Sequence, residues 1–361
     1  MVIGSSYVGH LGSFFKGGGF VMAVVLGLHN IPEGMAVGVV LAGAYYGNTM
    51  LSMSAALALS IGIALQNLPE GAIISMPLIG EGYSKPKAFL LGGMSGIVEP
   101  LSVPLNLPAV GTPLNDMSWE DVSKISSMGL ASSYFSVGDR KAITLNGTVG
   151  SLTFSNQTSY AYILGIDHNA SIEGNGIHFQ FGYTALSGGT NIAFVDSGNG
   201  SEKKSGTWFN MNNSASNSGG WVSSRMRSTI CPAFKSALPT KLQAILKTVT
   251  KYTDNTGGSG ATSARVTATE DDIFLLAEWE VFGARTSANP SEQSYQKQYD
   301  YYANGNSKKK YRHNSTSSLV NWKLRSPSVM NDKSFPEVTT SGTSSAYYAT
   351  YSRGFAPAFV I

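Results

Sequence analysis

Two short stretches decide how this sequence is read: His29-Asn30-Ile31-Pro32-Glu33-Gly34 and Gln66-Asn67-Leu68-Pro69-Glu70-Gly71. They repeat one pattern, and each sits in the middle of a long apolar run, residues 20–46 and 51–79. A third run, 88–98, meets Glu99 and Pro100 and then loses its period. About 20 apolar residues cross a bilayer core, so the sequence predicts two to three transmembrane helices within residues 1–100. Charge supports the division: those residues carry only Lys16, Lys85, Lys87, Glu33, Glu70, Glu81 and Glu99. The 20–46 run is too long and too polar at its centre for a signal peptide.

On a helix, residues i and i+4 share a face, which sets His29 above Glu33 and Gln66 above Glu70. Each proline leaves the carbonyl four residues earlier, Leu28 or Leu65, without its helical donor. Two such helices face to face would gather imidazole, amide and carboxylate groups about one point, a cage suited to a divalent cation such as zinc or iron. A carboxylate in lipid is costly and by default marks a function, although polar residues also join helices without binding anything. Lys85 and Lys87 fall in one loop and Lys16 precedes the first run, so basic-inside orientation places the chain in a cell membrane with its C-terminal part extracellular.

Residues about 17–100 resemble the ZIP family of zinc and iron transporters, in particular its GufA-like branch. The pieces that carry the resemblance are the two stretches above and Ser95-Gly96-Ile97-Val98-Glu99-Pro100. It implies a two-metal site in mid-membrane, with His29, Asn30, Glu33, Asn67, Glu70 and Glu99 at ligand positions and Gln66 where many members have histidine. The family's first three and last two helices have no counterpart here. A three-helix remnant would need further copies to complete a bundle, so a homo-oligomer is a possible partner state.

From residue 101 to 117 the chain is a Pro-rich linker, and from 118 to 361 its character changes. Ser118 caps a helix with Glu120 and Asp121 in its first turn and Val122, Ile125 and Met128 at helical spacing. Strand-like runs follow, clearest in the alternation Ile177-His178-Phe179-Gln180-Phe181, with further helices expected at 223–236, 240–246 and 291–302. The expected fold is thus mixed: N-terminal transmembrane helices plus a C-terminal α+β domain.

Chemistry-bearing motifs are scarce in this half. There is no nucleophile elbow, P-loop or dinucleotide fingerprint, and no enzyme is expected. His168 and His178 are possible ligands but read better as structural hydrogen-bonders. The single cysteine, Cys231, excludes a disulfide framework, and a net charge of +3 gives no nucleic-acid footprint. Aromatic residues set among Ser, Asn and Gly suit adaptable binding surfaces. Tyr347, Tyr348 and Tyr351 are the candidates for an exposed ligand-binding face, and Trp322 and Arg325 join them, although a core role suits Trp221, Trp279 and Trp322.

Residues about 118–361 resemble a domain of unknown function of the DUF6273 type, through Gly219-Gly220-Trp221, Trp322-Lys323-Leu324-Arg325-Ser326-Pro327 and Arg353-Gly354-Phe355-Ala356-Pro357-Ala358-Phe359. The resemblance implies a C-type-lectin-like fold. Lys323 stands where a second tryptophan is usual, and Ala356 where arginine is usual. Two functions follow. One is a divalent-metal transport fragment, carrying zinc or iron, fused to an extracellular lectin-like domain. The other is a membrane-anchored surface module that binds a glycan or a protein and transports nothing.

Overall fold

The structure is a computed structural model; it describes residues 53–80, 82–94 and 107–361, with a few positions between 33 and 40. The chain divides into two compact units, Met1–Asn106 and Leu107–Ile361.

In the first unit, α1 (Met53–Gly80) and α2 (Lys85–Met94) are joined by a tight turn, in which the Tyr83 N–H donates to the Leu78 carbonyl at 3.0 Å. Among the described residues no helix is long and apolar enough to cross a membrane. The Gln66-Asn67-Leu68-Pro69-Glu70 block interrupts the apolar run of α1. With ten residues, α2 is about half a bilayer span. The expected architecture of transmembrane helices is therefore corrected, and with it the cell-membrane location. The 20–46 run, apart from a few positions, and the end of the third run lie outside the described residues.

The second unit is β-rich. Its first helix, α3 (Trp119–Ser127), begins as the sequence predicts: Ser118 Oγ accepts from the Asp121 N–H at 3.1 Å, and Trp119, Val122 and Ile125 are buried. The 107–117 stretch is pinned instead of forming a free linker. Leu114 and Met117 are buried, Asn115 Oδ1 accepts from the Ala142 N–H at 2.9 Å, and Lys141 Nζ donates to the Leu114 carbonyl.

Five antiparallel strands form the main sheet, in the order β1-β2-β3-β13-β7: β1 (Arg140–Val149), β2 (Leu152–Ile166), β3 (Ile177–Tyr183), β13 (Ala358–Val360) and β7 (Ile273–Phe274). The C-terminal strand thus lies inside the sheet, its Phe359 stacked on Phe179 at 5.2 Å. The hairpin β5 (Val249–Asp254) and β6 (Val266–Asp271) stands apart from it. Two three-stranded sheets complete the unit: β4 (Ile192–Ala193), β8 (Lys310–Arg312) and β9 (Ser315–Val320), and β10 (Trp322–Lys323), β11 (Ser334–Val338) and β12 (Ser344–Tyr348).

Alternation in β3 predicts one wet face, yet residues 177–182 are all buried. The polar face is covered by tyrosines: Gln180 Oε1 accepts from Tyr162 and Tyr302 at 2.5 and 2.6 Å, and His178 Nδ1 lies 3.1 Å from the Tyr299 hydroxyl. The helix expected at 223–236 is present from Arg225 to Ala237, whereas the one expected at 291–302 is broken. The first becomes a π turn, Met226–Ile230, followed by Cys231–Ala237, and the second breaks into Pro290–Ser294 and Asp300–Ala303.

Candidate functional site

The hairpin of β11 and β12 pairs Phe335 with Tyr347 and Ser334 with Tyr348. β12 is the last strand of its sheet, and beyond it the chain turns through Tyr351 to Arg353. This brings three tyrosines together. The Tyr347 ring meets Tyr351 edge-on at 4.7 Å and Tyr348 at 5.7 Å, while Tyr348 and Tyr351 are 6.3 Å apart. Tyr347 and Tyr348 are 39% and 47% exposed. The Arg353 guanidinium lies 4.5 Å from the centre of the Tyr347 ring and 5.3 Å from that of Tyr351, within cation–π range.

Beneath the rings is a charged anchor. Glu337 of β11 is buried and accepts from Arg353 Nε at 2.9 Å and Asn321 Nδ2 at 2.7 Å; Lys323 Nζ is 3.2 Å away. Lys323 in turn donates to the Tyr347 carbonyl at 2.9 Å. Burial pushes the Lys323 ammonium down to about 8, with Glu337 opposing that shift. Burial alone would raise Glu337, but Lys323 and Arg353 outweigh it and hold the carboxyl below its usual range. Lys323 is thus the buried cation that fixes the base of the tyrosine face.

Trp322 and Arg325 sit elsewhere. Both are fully buried. Trp322 Nε1 donates to the Lys308 carbonyl at 3.0 Å. Arg325 grips Glu280 with two hydrogen bonds of 2.5 and 2.8 Å, and its Nε donates to Thr253 Oγ1 at 2.9 Å. Around this pair lies a buried polar network without a sequence signature. Lys251 bonds Glu173, sits 3.3 Å from Glu280 and donates to the Tyr299 hydroxyl at 3.1 Å. His168 and His178 belong to it, with ring centres 5.5 Å apart and His168 stacked on Tyr299 at 3.8 Å. Burial, with the Lys251 charge, drives His168 down to about 3 and His178 well below its ordinary value. Both are neutral at pH 7.

Nearby, Glu292 accepts from the Asp254 N–H, Ser326 Oγ and Gln296 Nε2 at 2.6–2.9 Å, yet burial raises its carboxyl to about 7. Sequence reasoning did not single out Lys251, Glu280 or Glu292, because they come from distant segments with no characteristic spacing.

Of the residues proposed as metal ligands, the structure joins Gln66 and Glu33: Gln66 Nε2 donates to Glu33 Oε1 at 2.9 Å. Asn67 and Glu70 lie in α1, their side chains outside what the structure describes, and His29, Asn30 and Glu99 are likewise outside the described residues. Among the described residues no three His, Cys, Asp or Glu side chains gather as a metal site.

No curated protein matches this chain, and no solved structure matches it. Nothing in these comparisons supports the ZIP resemblance of residues 17–100 or the C-type-lectin-like assignment, and together with the absence, among the described residues, of a helix long and apolar enough to cross a membrane this corrects the metal-transport reading. The family match is narrower than the region from 118 onward, beginning after β4 and taking in the hairpin of β11 and β12 with its tyrosines. Over residues 202–361 the chain carries a DUF6273 domain, described as a domain of unknown function.

Proposed function

We propose that this chain is a ligand-binding module whose contact face is built from Tyr347, Tyr348, Tyr351 and Arg353. The observation that carries the reading is the juxtaposition of three rings and one guanidinium at a sheet edge, anchored from below by Lys323 and Glu337. Tyrosine offers a large contact area at low conformational cost, and arginine with tyrosine dominates binding energetics where either is desolvated. Because the base is ion-paired and buried, the rings are held in place before a ligand arrives, which lowers the cost of association. The ligand classes that suit such a face are a glycan, stacked on a ring and hydrogen-bonded by phenols, and a protein surface.

The test runs the full chain against a glycan array and against a random peptide display library, then repeats both with Tyr348→Ala. The reading expects selected ligands in at least one format, with affinity falling about tenfold or more in the variant, as for a central aromatic contact. Blank results in both formats, or ligands indifferent to Tyr348→Ala, would overturn it.

A further inference from the structure

A groove of about 660 Å³ is walled by hydrophilic residues, among them Lys204, Asn213, Ser214, Ser223, Arg225 and Ser228. No acidic side chain lines it, yet two cations do. Lys204 at the rim is exposed and paired with Glu202 at 3.3 Å. Arg225 has no such partner: among the described residues no carboxylate lies within ion-pair distance of it. Asp196, whose charge it feels, is occupied by the Phe209 and Gly198 N–H groups and by Ser352 Oγ at 2.6–2.9 Å.

The guanidinium is used on one side only. Its Nη2 donates to the carbonyls of Trp208 and Asn210 and to the Asn210 side chain, while Nε and Nη1 are buried and make no hydrogen bond. Buried donors are nearly always paired, and an unpaired group on a cation is the costliest kind. Burial pushes the Arg225 pKa down, the direction expected of a charge that lacks its counter-ion, with Asp196 only partly opposing it.

The rest of the wall fits a polyol. The hydroxyls of Ser214, Ser223 and Ser228 make no hydrogen bond to the described residues, so each offers a donor and acceptors at the groove surface. Among the described residues the groove wall carries no aromatic or large aliphatic side chain. Its volume is in the range of small-ligand sites, roughly 300–1,000 Å³.

We propose that this groove binds a carboxylate-bearing sugar, a uronic or sialic acid residue, with the carboxylate held at Arg225 and the sugar hydroxyls met by the serines. The groove borders the tyrosine face, since Glu202, the partner of Lys204, bridges to Tyr351, but none of the tyrosine rings lines it.

Calorimetry on the full chain tests the proposal with four probes: a glucuronate-containing tetrasaccharide, its neutral glucose counterpart, a sialyl trisaccharide and inorganic phosphate. At least one acidic sugar should bind, with the neutral counterpart at least about tenfold weaker. Arg225→Gln should weaken binding by about tenfold or more, whereas Tyr348→Ala should leave it unchanged. Arg225 also holds Trp208 and Asn210, so the rim variants Lys204→Glu and Ser223→Trp provide a check that leaves those bonds intact, and each should weaken binding at least about fivefold. Equal binding of acidic and neutral sugars, phosphate binding as tightly as the sugars, no binding of either acidic sugar, or rim variants that bind as the parent does would overturn the proposal.

Discussion

Glu292 shows how a single buried carboxyl sets a pH dependence. Its three hydrogen bonds all come from donors, which suits a carboxylate, but burial dominates and raises its pKa to about 7. The neighbouring Gln296 Oε1 is buried without a partner. An ordinary glutamate titrates near 4.3, so between about pH 4.5 and 7 the folded chain holds a proton that the unfolded chain has released. Stability contributed by this group is therefore complete below about 4.5 and is lost as pH rises through about 7, a difference of about 3 kcal/mol. Glu292→Gln should remove that slope: the variant's melting temperature gains on the parent as pH rises from 5 to 8, and a constant difference across that range would contradict the assignment. The nearby Arg325 teaches the opposite lesson. A residue in a Trp-Lys-Leu-Arg-Ser-Pro run reads equally well as a binding residue or as a core cation, and only the position of Glu280, far away in sequence, decides between them.

At the scale of elements, local signals were legible and long-range ones were not. The Ser118 cap and the spacing of Val122 and Ile125 gave α3 because a helix start is written in adjacent residues. The strand alternation of 177–181 located β3, but not that both faces are buried, because the tyrosines that cover its polar side come from 162, 299 and 302. The 291–302 segment broke up where tertiary packing overrode helical periodicity, while the 223–236 segment stayed helical from Arg225 to Ala237 through a π turn. The loop between β5 and β6 is fixed in the same long-range way. Asp254 Oδ1 accepts from the Thr256 and Gly257 N–H groups at 3.0 Å, and the Gly258 N–H donates to Asn217 Oδ1 at 2.7 Å. Gly257 has φ +65°, and a Cβ there would overlap the Asn217 carbonyl oxygen. Gly257→Ala should thus cost more than about 2 kcal/mol in denaturant unfolding, from both the backbone region and the clash; a loss below about 0.5 kcal/mol would show that the loop does not pack against Asn217.

For the molecule as a whole, the sequence marked a change of character near residue 101, and the chain divides at Asn106 and Leu107. Apolar runs with central carboxylates suggested a membrane bundle, yet among the described residues no helix is long and apolar enough to cross a membrane. The tyrosine face was legible as a cluster in sequence because Tyr347, Tyr348 and Tyr351 are neighbours along the chain; its anchor was not, since Glu337 and Lys323 reach it through strand pairing. The central claim is that the 107–361 unit buries most of its aromatic residues, together with ion-paired charges such as Lys251, Glu280 and Arg325, and presents these tyrosines outward. Tyrosine nitration of the full native chain, read residue by residue by mass spectrometry, tests it most directly. The account predicts rapid modification at Tyr347 and Tyr348 and protection of Tyr162, Tyr299 and Tyr302, all fully buried; comparable labelling of the two groups, or protection of Tyr347 and Tyr348, would contradict it.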